Sequence, residues 1–141
     1  MITDRQNTFS VNQAITTAAT TVSTDIIDTG VNGININTNR GLQLYVAVTE
    51  AFVGGTNVTV NLIQSATENM ASPTVLVSSG TIATAQLTRG AVLLRLAVPR
   101  TSQRFLALQY VSTGTYTAGR LFGGLVLDTD DTLIPTYETG R

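Results

Sequence analysis

The 141-residue chain has no cysteine, no histidine, no tryptophan and no lysine. Without cysteine there is no disulfide framework, and the redox compartment is not legible. Without histidine and cysteine, zinc, haem and iron–sulfur centres lose their usual ligands. Ser-His and Cys-His nucleophiles are excluded with them. Charge is scarce too: 12% of residues carry it, about half the roughly 25% of an ordinary globular chain. All eight cations are arginine and the net charge is −1, a poor electrostatic match for DNA or RNA. No apolar run, Leu121 to Leu127 included, approaches the roughly 20 residues of a membrane span. The opening Met1-Ile2-Thr3-Asp4-Arg5-Gln6 lacks the charged-then-apolar order of a secretory signal. The expectation is one soluble domain with no cofactor, no nucleic-acid partner and no membrane.

What is present is β composition. Threonine is about one residue in six, and valine, isoleucine and leucine are plentiful; branched side chains suit a pleated surface. Period-two alternation agrees. Leu42, Leu44, Val46 and Val48 share one face of 42–49, and Val58, Val60 and Leu62 one face of 57–62. Val92, Leu94, Leu96 and Val98 repeat the pattern with Arg95 on the other side, as do Leu106, Leu108 and Tyr110 with Gln109 opposite. This is the mark of half-buried strands. Weaker strands are read over Thr21–Asp28, Thr74–Ser79, Thr81–Gln86 and Leu121–Asp128; in the last, Gly123-Gly124 predicts a bulge or a close backbone approach. Seven or eight short strands separated by turns predict an all-β, two-sheet antiparallel sandwich. A jelly roll is the preferred reading and an immunoglobulin-like sandwich the alternative; alternation does not separate them.

Two segments read as lying outside that body. Residues 1–18 carry isolated Ile2, Phe9, Val11 and Ile15 among polar residues, and 129–141 carry Leu133, Ile134, Pro135 and Tyr137. The organisation expected is an N-terminal arm (1–18), a jelly-roll-like domain (19–128) and a C-terminal tail (129–141). Either segment can be a frayed terminus or an arm that docks on another subunit. Low charge points the same way. Monomers usually cover about 25–35% of their surface with charged groups, and edge strands normally carry lysine or proline as guards. A chain without lysine is expected to have its edges and part of its faces covered by partners.

Chemical sites are sparse. Asp128, Asp130 and Asp131 are the densest acidic cluster and could offer oxygen to Ca²⁺, but the later Glu and central Gly of a calcium loop are missing. Asp25 and Asp28 would fall on opposite faces of a strand, so they make no glycosidase pair. The Gly pairs at 54–55 and 123–124 are followed by no Lys-Ser or Lys-Thr and are not phosphate loops. Asn57-Val58-Thr59 matches a glycosylation acceptor by chance, mid-strand. Arg89, Arg95, Arg100 and Arg104 cluster in sequence and could fork onto carboxylates of a neighbouring subunit, or form a solvated face. The candidate interface residues are therefore Ile2, Phe9, Val11, Ile15, Arg89, Arg95, Arg100 and Arg104; no catalytic, cofactor-binding or metal residue is predicted. The four Tyr and four Phe form no stripe for stacking bases or sugars.

Met1-Ile2-Thr3-Asp4, Phe9-Ser10 and Gln13-Ala14-Ile15-Thr16 resemble the start of the small capsid cement (decoration) proteins of tailed bacteriophages. The likeness continues, with gaps, through Asp25–Gly30, Leu42–Phe52, Thr59–Leu62, Arg104–Tyr110, Gly114–Gly119 and Gly124–Asp128. The order of the pieces carries it. The resemblance implies a jelly-roll sandwich that trimerises on the outside of a phage head and bridges neighbouring major capsid proteins, steadying the shell. It implies synthesis in the bacterial cytoplasm, a place on the virion surface, itself and the major capsid protein as partners, and no catalytic residues. Deleting 1–18 is then expected to weaken attachment and leave a folded sandwich. The alternative is a sugar- or receptor-binding sandwich using loops such as Gly30–Gly41 and Thr113–Gly119. A carboxylate-based hydrolase would need a cleft holding two acids.

Overall fold

Alternation becomes burial in the strands that pair most regularly. In β4 (Gln43–Gly54) Leu44, Val46 and Val48 turn inward; in β5 (Asn57–Ser65) Val58, Val60 and Leu62 do; in β8 (Phe105–Thr113) Leu106, Leu108 and Tyr110 do. The computed structural model describes residues 4–33 and 42–127. The remaining strands are β1 (Thr8–Ala14), β2 (Thr20–Val22), β3 (Ile27–Asp28), β6 (Thr74–Ala83), β7 (Val92–Ala97) and β9 (Tyr116–Val126). Two 3-10 turns, Arg5–Asn7 and Thr84–Gln86, precede β1 and follow β6.

The strands form two antiparallel sheets. One has the order β1-β9-β4-β7, the other β2-β8-β5-β6, with β3 also on β8. β2 and β3 pair with successive parts of β8, Val22 opposite Gln109 and Ile27 opposite Leu106, so they are two pieces of one interrupted strand. Eight strands wound so that each sheet draws alternately on both halves of the chain make a jelly roll. That order decides against the immunoglobulin-like alternative. Phe9, Leu44, Val46, Leu62, Leu108, Tyr110 and Leu121 lie among the fully buried side chains of the main core between the sheets. Each such side chain is worth roughly 1.5–3 kcal/mol by burial. A smaller cluster of Ile63, Met70 and Ala107 sits under Val22, Ile26 and Phe105.

The N-terminal segment is corrected. The described part of the expected 1–18 arm, residues 4–18, is not free: Thr8–Ala14 is a strand hydrogen-bonded to β9, and Phe9 and Ile15 belong to the core. Tyr110 Oη lies 2.7 Å from Ser10 Oγ, which donates to Gln13 Oε1 at 2.6 Å. Gln13 Nε2 donates to the Val22 carbonyl at 3.0 Å. The network ties β1 to both sheets. The pattern hid this strand because β1 is irregular. It slips register twice against β9, and Asn12 adopts φ 54°, so Phe9 points in while Val11, two residues on, is 61% exposed. Removing 1–18 would remove an edge strand with two core side chains, so the expectation of a folded sandwich after that deletion does not stand.

Other boundaries move for similar reasons. Thr74–Ser79 and Thr81–Ala83 are one strand, β6, with two register shifts against β5 and Gly80 at φ 70°. The segment ends in a 3-10 turn, Thr84–Gln86, instead of a strand. β9 starts at Tyr116, five residues before the expected Leu121, and ends at Val126. Gly123 is the predicted close approach: a Cβ there would meet Leu108 Cδ1 of the opposite sheet at 2.3 Å.

Edge protection also differs from the expectation. β1 and β6 are each broken by two register shifts, β2 and β3 are three and two residues long, and β7 carries Arg95. Bulges and short strands blunt sheet edges as lysine does, so missing lysine is not by itself a reason for covered edges.

Candidate functional surfaces

The jelly roll sends alternate loops to opposite ends, and this disperses the candidates grouped in the sequence. Arg89 lies in the turn before β7, Arg95 within β7, and Arg100 and Arg104 beyond its other end. The four arginines therefore form no single patch. Arg104 finds its carboxylate inside its own chain: Nε and Nη2 donate to Asp28 Oδ1 and Oδ2 at 2.6 and 2.7 Å. The guanidinium also stands 5.2 Å from the centre of the Phe105 ring. Arg104, then the Gly30 backbone N–H, holds the Asp28 carboxyl down from 3.8 to about 2. A second forked arginine, Arg120, donates to Glu50 Oε2 at 2.9 Å and to the Asn12 carbonyl at 3.0 Å. It pins the bulge of β1 to β4 across β9.

Of the arm candidates, Phe9 and Ile15 are core, Val11 is exposed, and Ile2 lies outside the described residues. Asp128, Asp130, Asp131 and the tail 129–141 lie outside them as well. Among the described residues no three His, Cys, Asp or Glu side chains come together as metal ligands would, and no helix is long and apolar enough to cross a membrane.

The two loops proposed for a sugar site stand apart. Asp28 pairs with Phe105 at the start of β8, so Gly30 is at that end. Thr113 is the last residue of β8, about 27 Å away along a nine-residue strand. Most of Thr113–Gly119 is moreover strand β9. Gly30–Gly33 and Thr113–Thr115 cannot line one site, and 34–41 lies outside the described residues.

Sequence reasoning missed two surface features. One is a shallow cleft at the N-terminal end, lined by Asp4, Arg5, Gln6, Thr8, Asp25 and Ile26. It gathers two carboxylates and a guanidinium from segments twenty residues apart. The local signal was Asp4, which caps the first turn by accepting from the Gln6 N–H at 3.1 Å. The other is the outward face of the four-stranded sheet. There Tyr45 and Phe122 pair with ring centres 6.4 Å apart. The signal was a large apolar residue, Tyr45, at an odd position of 42–49.

A family model described as Bbp16, a phage-associated name, matches residues 9–125. The chain belongs to the Bbp16 family. The Bbp16 match begins at Phe9, inside β1, and ends at Leu125, inside β9, so it takes in every strand of both sheets. It treats β1 as part of the body, as the structure does. No curated protein shows a significant match to the chain.

Proposed function

We propose that this chain is a structural protein of a phage particle: a cement protein that sits on the outside of the head and bridges neighbouring major capsid proteins. The observation that supports this best is the Bbp16 match, phage-associated and spanning the whole jelly roll. The distribution of chemistry is in keeping with it. Two of the arginines, Arg104 and Arg120, are spent on ion pairs that brace strands. The buried Ser10 and Tyr110 and the half-buried Gln13 are spent on fixing β1.

Binding physics gives the mechanism. A standard interface buries about 1,600 Å² in total, roughly 800 Å² from each partner, and a single contact of that size holds one 14.9 kDa subunit on one coat protein only by its own affinity. Linked copies engage several sites together, and effective concentration raises avidity by roughly 10² to 10⁴ without new contacts. In the trimer the resemblance implies, three subunits would share that gain. Separating two coat proteins would then require breaking cement contacts as well. A rigid β1 matters here: with Thr8–Ala14 inside the sheet, attachment falls to the sandwich surfaces and not to a free arm of eighteen residues.

The test mixes purified protein with expanded and unexpanded heads that lack it. The proposal expects co-sedimentation to a saturating stoichiometry and a higher temperature of head rupture. No co-sedimentation with either form would overturn it. Mass measurement of the free protein reads the multiplicity in the same preparation.

A further inference from the structure

The outward face of the β1-β9-β4-β7 sheet is apolar and partly sealed. Register sets Gln43 beside Val126 and Ala97, Tyr45 beside Gly124 and Arg95, and Ala47 beside Phe122. The residues between them, Leu44, Val46 and Leu125, point into the core, so this set points away from it. Yet Val126 is 1% exposed and Ala47 8%, and neither belongs to an apolar cluster of the sandwich. Gln43 Oε1 is buried with no hydrogen-bond partner among the described residues. The second sheet lies on the opposite side and covers none of this face. A polar atom withdrawn from water and left unpaired costs about 1–3 kcal/mol, so the face calls for a cover that brings both apolar side chains and a donor.

The chain itself leads to this face. β9 is an interior strand of the sheet and ends at Val126, on the lip of the patch. Fourteen residues follow the described part. Extended, they reach about 46 Å, against about 40 Å for the twelve residues of β4. Among them are Leu133, Ile134, Pro135 and Tyr137, with Asp128, Asp130, Asp131 and Glu138 against one cation, Arg141; the face presents Arg95. We infer that residues 128–141 dock back on the outward face of their own four-stranded sheet. Leu133, Ile134, Pro135 and Tyr137 cover Tyr45, Ala47, Phe122 and Val126, and the backbone of the segment supplies a donor to Gln43 Oε1. The inference does not rest on attachment to a phage head, and its test is made in solution without one.

The cysteine-free chain makes the test direct. In the full-length protein, Ala47→Cys combined with Ile134→Cys should crosslink under mild oxidation or with a short bismaleimide, giving a monomer of raised mobility on a non-reducing gel. Thr59→Cys with Ile134→Cys places the first thiol on the outer face of the other sheet, where no crosslink is expected. Covalent dimers from the first pair would assign the face to a second copy and overturn the inference. Equal crosslinking by both pairs, or none by the first, would overturn it as well. A chain ending at Leu127 should bind the apolar dye ANS several-fold more strongly than the full chain, and the added peptide 128–141 should reverse the gain. Equal dye binding by the two chains would count against the inference. The crosslink is read on the complete chain and does not depend on the shortened one folding.

Discussion

The two ends of the sandwich are built by different physics. At the end where β4 turns into β5 and β8 into β9, packing decides. Phe52 and Tyr116 meet edge to face at 5.1 Å, Tyr116 Oη lies 3.0 Å from Thr84 Oγ1, and the ring lies over Gly55. Gly55 is at φ 56°, and a Cβ there would meet the Tyr116 ring at 2.2 Å. At the other end, charge decides. Asp28 and Arg104 form a forked, solvent-exposed pair, and Asp4, Arg5 and Asp25 line an open cleft. The contrast implies that the first end sets rigidity and the second responds to pH and salt. A surface meant to meet a partner is more readily built from the second, because exposed pairs can be exchanged for others at little cost.

Substitutions at the packed end should be the most damaging. Tyr116→Ala deletes a buried ring together with its hydroxyl contact, and a loss of about 3–5 kcal/mol is expected in urea unfolding. Gly55→Ala joins a steric clash to a left-handed backbone and should also fall well below wild type. If either were tolerated within about 0.5 kcal/mol, as an ordinary surface change is, the contrast between the ends would be broken.

The status of β1 can be sharpened next. Phe9→Ala is expected to cost about 3–5 kcal/mol, the scale of a buried aromatic truncation, whereas Val11→Ala should stay within about 0.5 kcal/mol. An arm that merely rested on the sandwich would show no such loss for Phe9→Ala. Tyr110→Phe should cost about 1–2 kcal/mol, because Ser10 loses a buried partner. Burial pushes the Tyr110 hydroxyl well above its ordinary range, with the Ser10 hydrogen bond pulling the other way; alkaline difference spectra should therefore show it silent until the protein unfolds.

The smallest effect belongs to the charged end. The Asp28 carboxyl is lowered in the folded chain, first by the Arg104 hydrogen bonds. A depressed acid contributes stability that is complete above its unfolded value near 4 and is lost as pH falls toward about 2. Arg104→Gln should therefore lower stability slightly at neutral pH, with the difference from wild type shrinking between about pH 4 and 2 and gone below that. Added salt should weaken the wild-type advantage. An unaltered acid profile would show that the pair contributes nothing.

Much of the body was legible because β4, β5 and β8 are regular: Leu44, Val46, Val60 and Leu108 alternate without interruption. The irregular strands were not. β1 carries its bulge between Ser10 and Gln13, so its inward and outward residues break period two, and β6 is interrupted by Gly80, which reads as a turn. The interface candidates fared worse for a topological reason. Arg89 and Arg100 are eleven residues apart in sequence yet stand at opposite ends of β7, held apart by the extended strand between them. For Arg104 the sequence leaves open a neighbouring subunit's carboxylate or a solvated face; its partner, Asp28, is seventy-six residues back in the same chain. The outward patch around Tyr45 was invisible because the pattern of 42–49 says which residues face the core, not what lies on the other side.

The central claim is that this jelly roll is a surface component of a phage head. Heads purified without the protein, incubated with it and recovered by sedimentation, measure this most directly. The account predicts saturable binding together with a raised rupture temperature. Protein left entirely in the supernatant, with heads rupturing at the same temperature as before, would contradict it.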